Sequence, residues 1–454
     1  MKTKNILILA FAVAALSGCR KGDDLYKNPN QPATATPASM LTGVEANTTN
    51  NYESGLGRIS AILMQYQAGC VAQSTAYDEY ILSAFDMDNY WTGLYVGAMK
   101  NAKLLYTQYE GSYPYHAGIA KINMAINLGI ATELWGDVPY SQAFNLEGNV
   151  TQPKMDAQSD IFTSIQSLLD QAIADLNKPV SANQAVPAGD DLIFNGNISA
   201  WIKTAWTLKA RYHNLLSRRD PNASANVLAD LANAMASNAD NCMTLHTSSD
   251  PNQWAAFQDG RGYNFASQTL IDSLGNMNDP RTPWYFDTTG TNGTGPVGTP
   301  LGTSNGTSAL GPYLYNAAEN LPTPLVTYAE ALFIKAEALA RTNDPTTAAV
   351  LNSAIIASVG AVRSGDTTGY YRLTKYTAVT ATVHTVMLEK WKAMFGQPLE
   401  AYADYRRTGF PMLKIRPGAA LNYIPKRLPT DLAEEAANSN AVFIPLSTPV
   451  WFAQ

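Results

Sequence analysis

The chain has 454 residues, a formal net charge of −6, and only 15% charged side chains against 46% hydrophobic ones. A nucleic-acid binder is normally basic, so an acidic chain of this kind disfavours that class. The length allows a large core, and tyrosine is frequent, with 24 residues.

The first residues read MKTKNILILAFAVAALSGC. Two lysines, an apolar run from Ile6 to Leu16 and then small residues make a secretory signal, too short for a spanning helix. Leu16-Ser17-Gly18-Cys19 has the form of a bacterial lipobox. Residues 1–18 are therefore expected to be removed and Cys19 to be acylated through its sulfur, which leaves a mature charge of −8. An anchor of more than one acyl chain is durable, at about 0.8 kcal/mol per buried methylene. Residues 19–40 are polar and proline-rich, a tether. Asp23 and Asp24 lie where a short acidic export tag would stand.

From there apolar residues recur at three-to-four spacing, which predicts helices over 55–69, 90–109, 117–135, 159–177, 199–217, 222–238, 325–341, 345–358 and 382–396. Ser159 is a candidate cap, and Thr327 with Glu330 reads as a capping box. Ala and Gly on the inner faces, as at Ala125/Gly129, let helices approach closely. The expected fold is mainly α, a tetratricopeptide-like array of helix hairpins in a single domain over 41–454. Two excursions interrupt it: the polar segment 71–89 and the long irregular segment 240–324. Cys70 and Cys242 each sit beside apolar residues and read as two buried thiols, with a single disulfide as the alternative.

No catalytic or metal-binding pattern stands out. His116, His213, His246 and His384 are far apart, and no local motif pairs two carboxylates. The run DMDNYW begins like a calcium loop, but Tyr90 and Trp91 occupy its fifth and sixth positions, and Gly97 stands where the bidentate Glu belongs. The reading is a protein that is not an enzyme and holds no cofactor.

The segment ELWGDVPYSQAF, residues 133–144, resembles a motif of the SusD/RagB-type outer-membrane lipoproteins. Further segments match the pattern of that family in order, including DIFTSIQSLLDQAIADL, FASQTLIDSLGNMNDPRTPWYF, TYAEALFIKAEALAR and EKWKAMFGQPLEAYADYRRTGFP. Trp135 stands where the family often has Tyr or Phe. In physical terms these motifs shape the fold. Gly136 and Pro139 end a helix, Tyr140 and Phe144 pack under the next turn, and Arg406 and Arg407 suit a helix C-terminus.

The resemblance implies a lipid-anchored protein on the outer face of the outer membrane. It captures an oligosaccharide, or alternatively a peptide, and delivers it to a SusC-like TonB-dependent transporter. A scaffold without a small ligand is the third class. A sugar ligand needs exposed rings to cover its C–H face, and the two excursions supply candidates. These are Tyr77 and Tyr80 in the first, and Trp254, Tyr263, Trp284, Tyr313 and Tyr315 in the second. Asp279-Pro280 reads as a turn into an extended segment, where alternation sends Trp284 and Phe286 to one side and Tyr285 to the other.

Overall fold

The structure, a computed structural model, describes residues 35–144, 148, 150–247, 249–288, 295–363, 377 and 379–454. The signal segment 1–18, Cys19 and most of the tether lie outside the described residues. The chain is mainly helical, as its periodicity predicts. Helix α1 (Pro37–Glu53) opens it, with the Thr36 hydroxyl accepting from the amide of Ser39 and proline in the first turn. It follows that the tether gives way to helix at Pro37, before residue 40. Next come α2 (Gly55–Leu63), strand β1 (Gln67–Gly69) and α3 (Gln73–Asp78). Helix α4 (Asp88–Thr92) runs through a π-helical stretch, Gly93–Met99, into α5 (Lys100–Tyr109).

Helix α6 (Pro114–Trp135) is buried along its whole length, as a helix that is apolar all round should be. Most of its polar side chains find partners inside, although His116 Nδ1 and Asn123 Oδ1 are buried without one. Lys121 donates to Asp175 at 2.6 Å, and Asn127 joins α6 to α1 through Asn51 and Thr48 at 2.9 and 2.7 Å. Gly136 ends the helix at φ +83°, a conformation glycine adopts at no steric cost. The short strands β2 (Val138–Pro139) and β3 (Met155–Asp156) then pair antiparallel, which brings Asp156 under the amides of Tyr140 and Ser141.

Helices α7 (Gln158–Leu176), α8 (Ile198–Leu215) and α9 (Ala223–Asp230) continue the array, each packed on its predecessor. Helix α7 begins one residue before Ser159, after Ala157, so the expected serine cap is not used. The expected helix over 222–238 stops at Asp230. Strand β4 (Cys242–Met243), α10 (Gln253–Arg261), β5 (Asn264–Ala266), α11 (Gln268–Leu274) and the one-turn helix α12 (Thr282–Tyr285) give the second excursion much more regular structure than its composition suggests. Strand β6 (Pro324–Val326) pairs with β4.

The C-terminal third holds α13 (Tyr328–Arg341), α14 (Thr347–Val362), α15 (Val383–Ala393), α16 (Pro398–Thr408) and α17 (Leu432–Ala437). Thr327 caps α13 through the amide of Glu330, but the Glu330 carboxylate does not return the bond. It turns inward to Arg211 instead, at 2.6 Å. Arg406 and Arg407 likewise point into the protein. Arg407 pairs with Glu337 and Asp404, and Arg406 lies 3.9 Å over the ring of Tyr402. Cys70 and Cys242 are both buried and unbonded. No described helix is long and apolar enough to cross a membrane.

Candidate functional site

The two excursions meet. Strand β1, which leads into the first, pairs antiparallel with β5 of the second in the register Gln67↔Ala266, Ala68↔Phe265 and Gly69↔Asn264. The amide of Cys70 extends the ladder to the carbonyl of Tyr263 at 2.9 Å, and buried Asn264 donates to Gln67 at 3.0 Å. The glycine-rich part of the second excursion is then stitched down by single bridges, Ser267↔Thr299 and Phe286↔Leu310. So segments about 200 residues apart in sequence form one face.

The stretch Asp279–Phe286 anchors this face. Arg281 is fully buried and grips Asp279 with both prongs of its guanidinium, at 2.9 and 2.7 Å, while a third bond reaches Ser358 of α14 at 3.0 Å. Burial alone would raise the Asp279 carboxyl, but Arg281 outweighs it and holds the pKa below the ordinary value. The alternation expected over 284–286 does not occur, because Thr282–Tyr285 forms a helical turn. Tyr285 stacks on Phe395 at 4.4 Å and Phe286 meets the same ring edge-on, so both are core. Trp284 is half-buried.

Three of the candidate platform rings are enclosed by protein. Tyr77 is 5% exposed, Tyr80 3% and Trp254 2%, so none offers a free face. Tyr80 sits at φ +59°, and its hydroxyl accepts from the amide of Arg416 at 3.4 Å. Trp254 enters the core from the first turn of α10, where Asn252 caps the helix, and it packs against Gly57 of α2. Tyr77 and Trp254 were drawn inside because short helices α3 and α10 each need an apolar face to hold them down, and Tyr80 follows just past the end of α3. Tyr263, Trp284, Tyr313 and Tyr315 are half-buried.

Of these, Tyr315 lines an open cleft of about 520 Å³. Its other walls are Gln258 and Asp259 of α10, then Asp287, the run Ala309–Pro312, and Asn316. The Tyr315 hydroxyl donates to Asp259 at 2.7 Å, and this bond raises the pKa of the phenol. Behind it on α10, Phe257 meets Tyr263 edge-to-face at 5.7 Å, with Arg58 over Phe257 at 4.0 Å. Phe85, on the first excursion, is 72% exposed. Sequence reasoning named Tyr315 but missed Gln258, Asp259, Asp287 and Asn316 in the same wall. The run WAAFQDGR carried no periodic signal for Gln258 and Asp259, because each stands four residues after a buried Trp254 or Ala255 and so on the same face; they reach the surface because the helix ends at Arg261. The cleft thus combines a ring with amide and carboxylate groups, a set that can hydrogen-bond hydroxyls while covering an apolar face. Among the described residues no group of three or more His, Cys, Asp or Glu could hold a metal ion.

A family model described as "Starch-binding associating with outer membrane" matches residues 29–429. The chain belongs to the SusD-like family. Solved structures agree over nearly the whole length. A SusD/RagB family protein from Bacteroides thetaiotaomicron is 26% identical, with a TM-score of 0.78 over 92% of this chain and 99% of that one. A chitin-binding SusD homolog from Flavobacterium johnsoniae shares the fold at 20% identity, with a TM-score of 0.77 over 91% and 98% of the two chains. A chitin-binding protein at 23% identity gives a TM-score of 0.75 over 92% and 100%. No curated protein matches this SusD-like chain.

Proposed function

We propose that this SusD-like protein captures an oligosaccharide in the cleft between α10 and the Tyr315 segment and hands it to a SusC-like TonB-dependent transporter. Acylated Cys19 moors it to the outer face of the outer membrane, and residues 19–36 act as the tether. The observation that carries the reading is the cleft itself: Tyr315 sits beside Asp259, Gln258, Asp287 and Asn316 on the face where both excursions meet. The family description names starch, and the printed names of two similar structures name chitin, which supports a neutral glycan as the substrate class.

The physics fits capture followed by release. Covering roughly 100 Å² of a sugar's apolar face contributes about 2–3 kcal/mol before ordering costs. A few hydrogen bonds to the hydroxyl rim bring the total to micromolar or millimolar binding, weak enough to let go. Binding rather than bond cleavage is the activity. Titration of the mature protein with malto- and chito-oligosaccharides tests this. Saturable binding that weakens in Tyr315→Ala supports the reading, and no binding to either series removes it. Palmitate labelling that vanishes in Cys19→Ala, together with copurification of a barrel transporter, tests the anchor and the partner.

A further inference from the structure

We propose a second ligand site, a pocket that takes one anionic sugar ring, with the acidic group of the ring held by Arg406 and Lys426. The cavity, about 300 Å³, lies at the C-terminal end of α16 and is lined by Tyr405, Arg406, Ile415, Asn422, Tyr423 and Lys426 among others. It shares no lining residue with the cleft of the excursions, so it stands independently of the function proposed above.

Its charge is one-sided. Two cations line it and no carboxylate does. Arg406 is committed on one side only. Its Nε donates to the carbonyl of Tyr402 at 3.1 Å and its Nη1 to the carbonyl of Glu133. Its plane lies over the rings of Tyr402 and Phe452. The remaining nitrogen, Nη2, is buried with no hydrogen-bond partner in the protein. That leaves part of the cation's charge unmet inside the protein, and an anion in the cavity that Arg406 lines would meet it from outside. Glu133 acts on Arg406 from the protein side, but burial, reinforced by Glu400, holds its carboxyl well above the usual carboxylate range against the pull of Arg211 and Arg406. Lys426 is exposed and forms no ion pair among the described residues.

The rest of the lining selects a ring rather than a bare ion. Tyr405 and Tyr423 are half-buried, and with Ile415, Ile424 and Pro449 they make apolar walls. Asn422 adds an amide for a hydroxyl. The volume lies at the small end of the roughly 300–1,000 Å³ of ligand pockets, room for one ring and not for a chain. The partial negative charge at the end of α16 opposes an anion, but it is weaker than a charge-assisted bond to a guanidinium.

The test is titration of the mature protein with glucuronate, glucose 6-sulfate, the methyl ester of glucuronate, glucose and sodium sulfate. At least one of the two charged sugars should bind, more weakly as salt rises, with the ester and glucose about tenfold weaker or worse. Binding of glucuronate alone assigns a carboxylate, of the sulfated sugar alone a sulfate, and of both a general anion site. Lys426→Gln and Tyr423→Ala, both at accessible positions, should each weaken binding about threefold or more without lowering Tm. Arg406→Lys should remove it. The proposal is overturned if the ester binds as well as the acid, if sulfate alone binds as tightly as the sugars, if neither Lys426→Gln nor Tyr423→Ala changes affinity, or if no charged sugar binds.

Discussion

Arg211 of α8 and Glu330 of α13 face each other in the core as a two-pronged pair, with Nε–Oε1 at 2.6 Å and Nη2–Oε2 at 2.7 Å, and neither is more than 4% exposed. The remaining Nη1 reaches Glu400 of α16 at 2.8 Å, so one guanidinium ties three helices together. Burial would raise the Glu330 carboxyl, yet Arg211 outweighs burial and keeps it below its ordinary value. Arg211→Met should therefore destabilise the protein by about 3–5 kcal/mol, because it strands two buried acids. Arg211→Lys should recover little, since a point charge cannot serve the fork. Urea denaturation at pH 7 reads both, and a loss below 1 kcal/mol for Arg211→Met would contradict this account.

A second buried acid sets an acid limit on stability. Burial pushes the Glu337 carboxyl up, but Arg407 and Arg341 prevail and bring it down to about 2. A pKa lowered in the folded state means stability that is present above the unfolded value of 4.5 and lost as pH falls through to about 2. The size is on the order of 3 kcal/mol. Wild type should lose Tm steeply between those limits. Glu337→Gln should start lower and show a shallower slope over the same window.

Burial separates two kinds of aromatic in the second excursion. Trp254→Ala should cost about 3–5 kcal/mol, as a fully enclosed ring does, and any loss of glycan binding should follow the loss of fold. Tyr315→Ala should leave Tm nearly unchanged and weaken glycan binding about tenfold. Thermal melts run beside titrations distinguish the two. Equal effects on melting would mean that Tyr315 is a packing residue.

The close approach of α6 and α8 depends on Gly129. A Cβ built there lies 2.1 Å from the Tyr212 hydroxyl and 2.7 Å from its ring. Gly129→Ala should lose about 1–3 kcal/mol by overpacking. Tyr212→Phe in that background should recover part of the loss, because it removes the nearest atom. A Gly129→Ala variant as stable as wild type would show that the helices can part without cost.

Both internal thiols should be inert in the native protein. Burial raises the pKa of Cys70 and of Cys242, so little reactive thiolate forms at neutral pH. A thiol reagent should modify neither before denaturant is added and both afterwards. Fast native reaction would place one of them at the surface.

Periodicity alone located most helices, since a helix that packs must repeat its apolar residues every three to four positions whatever its partners are. The ordered motifs pointed to the family, because Gly136, Pro139 and the Asp279–Arg281 pair impose local geometry that travels with the sequence. The use of each ring was decided elsewhere. Tyr77 and Trp254 stand beside polar residues in the chain, yet α3 and α10 turn them inward, and the left-handed turn at Tyr80 buries that ring as well. Asp259 meets Tyr315 across 56 residues. Glu330 forgoes its local capping partner for Arg211, 119 residues away. Local pattern sets what a segment can become. Exposure, and with it the cleft, is settled only when distant segments arrive and either cover a side chain or leave it open to water.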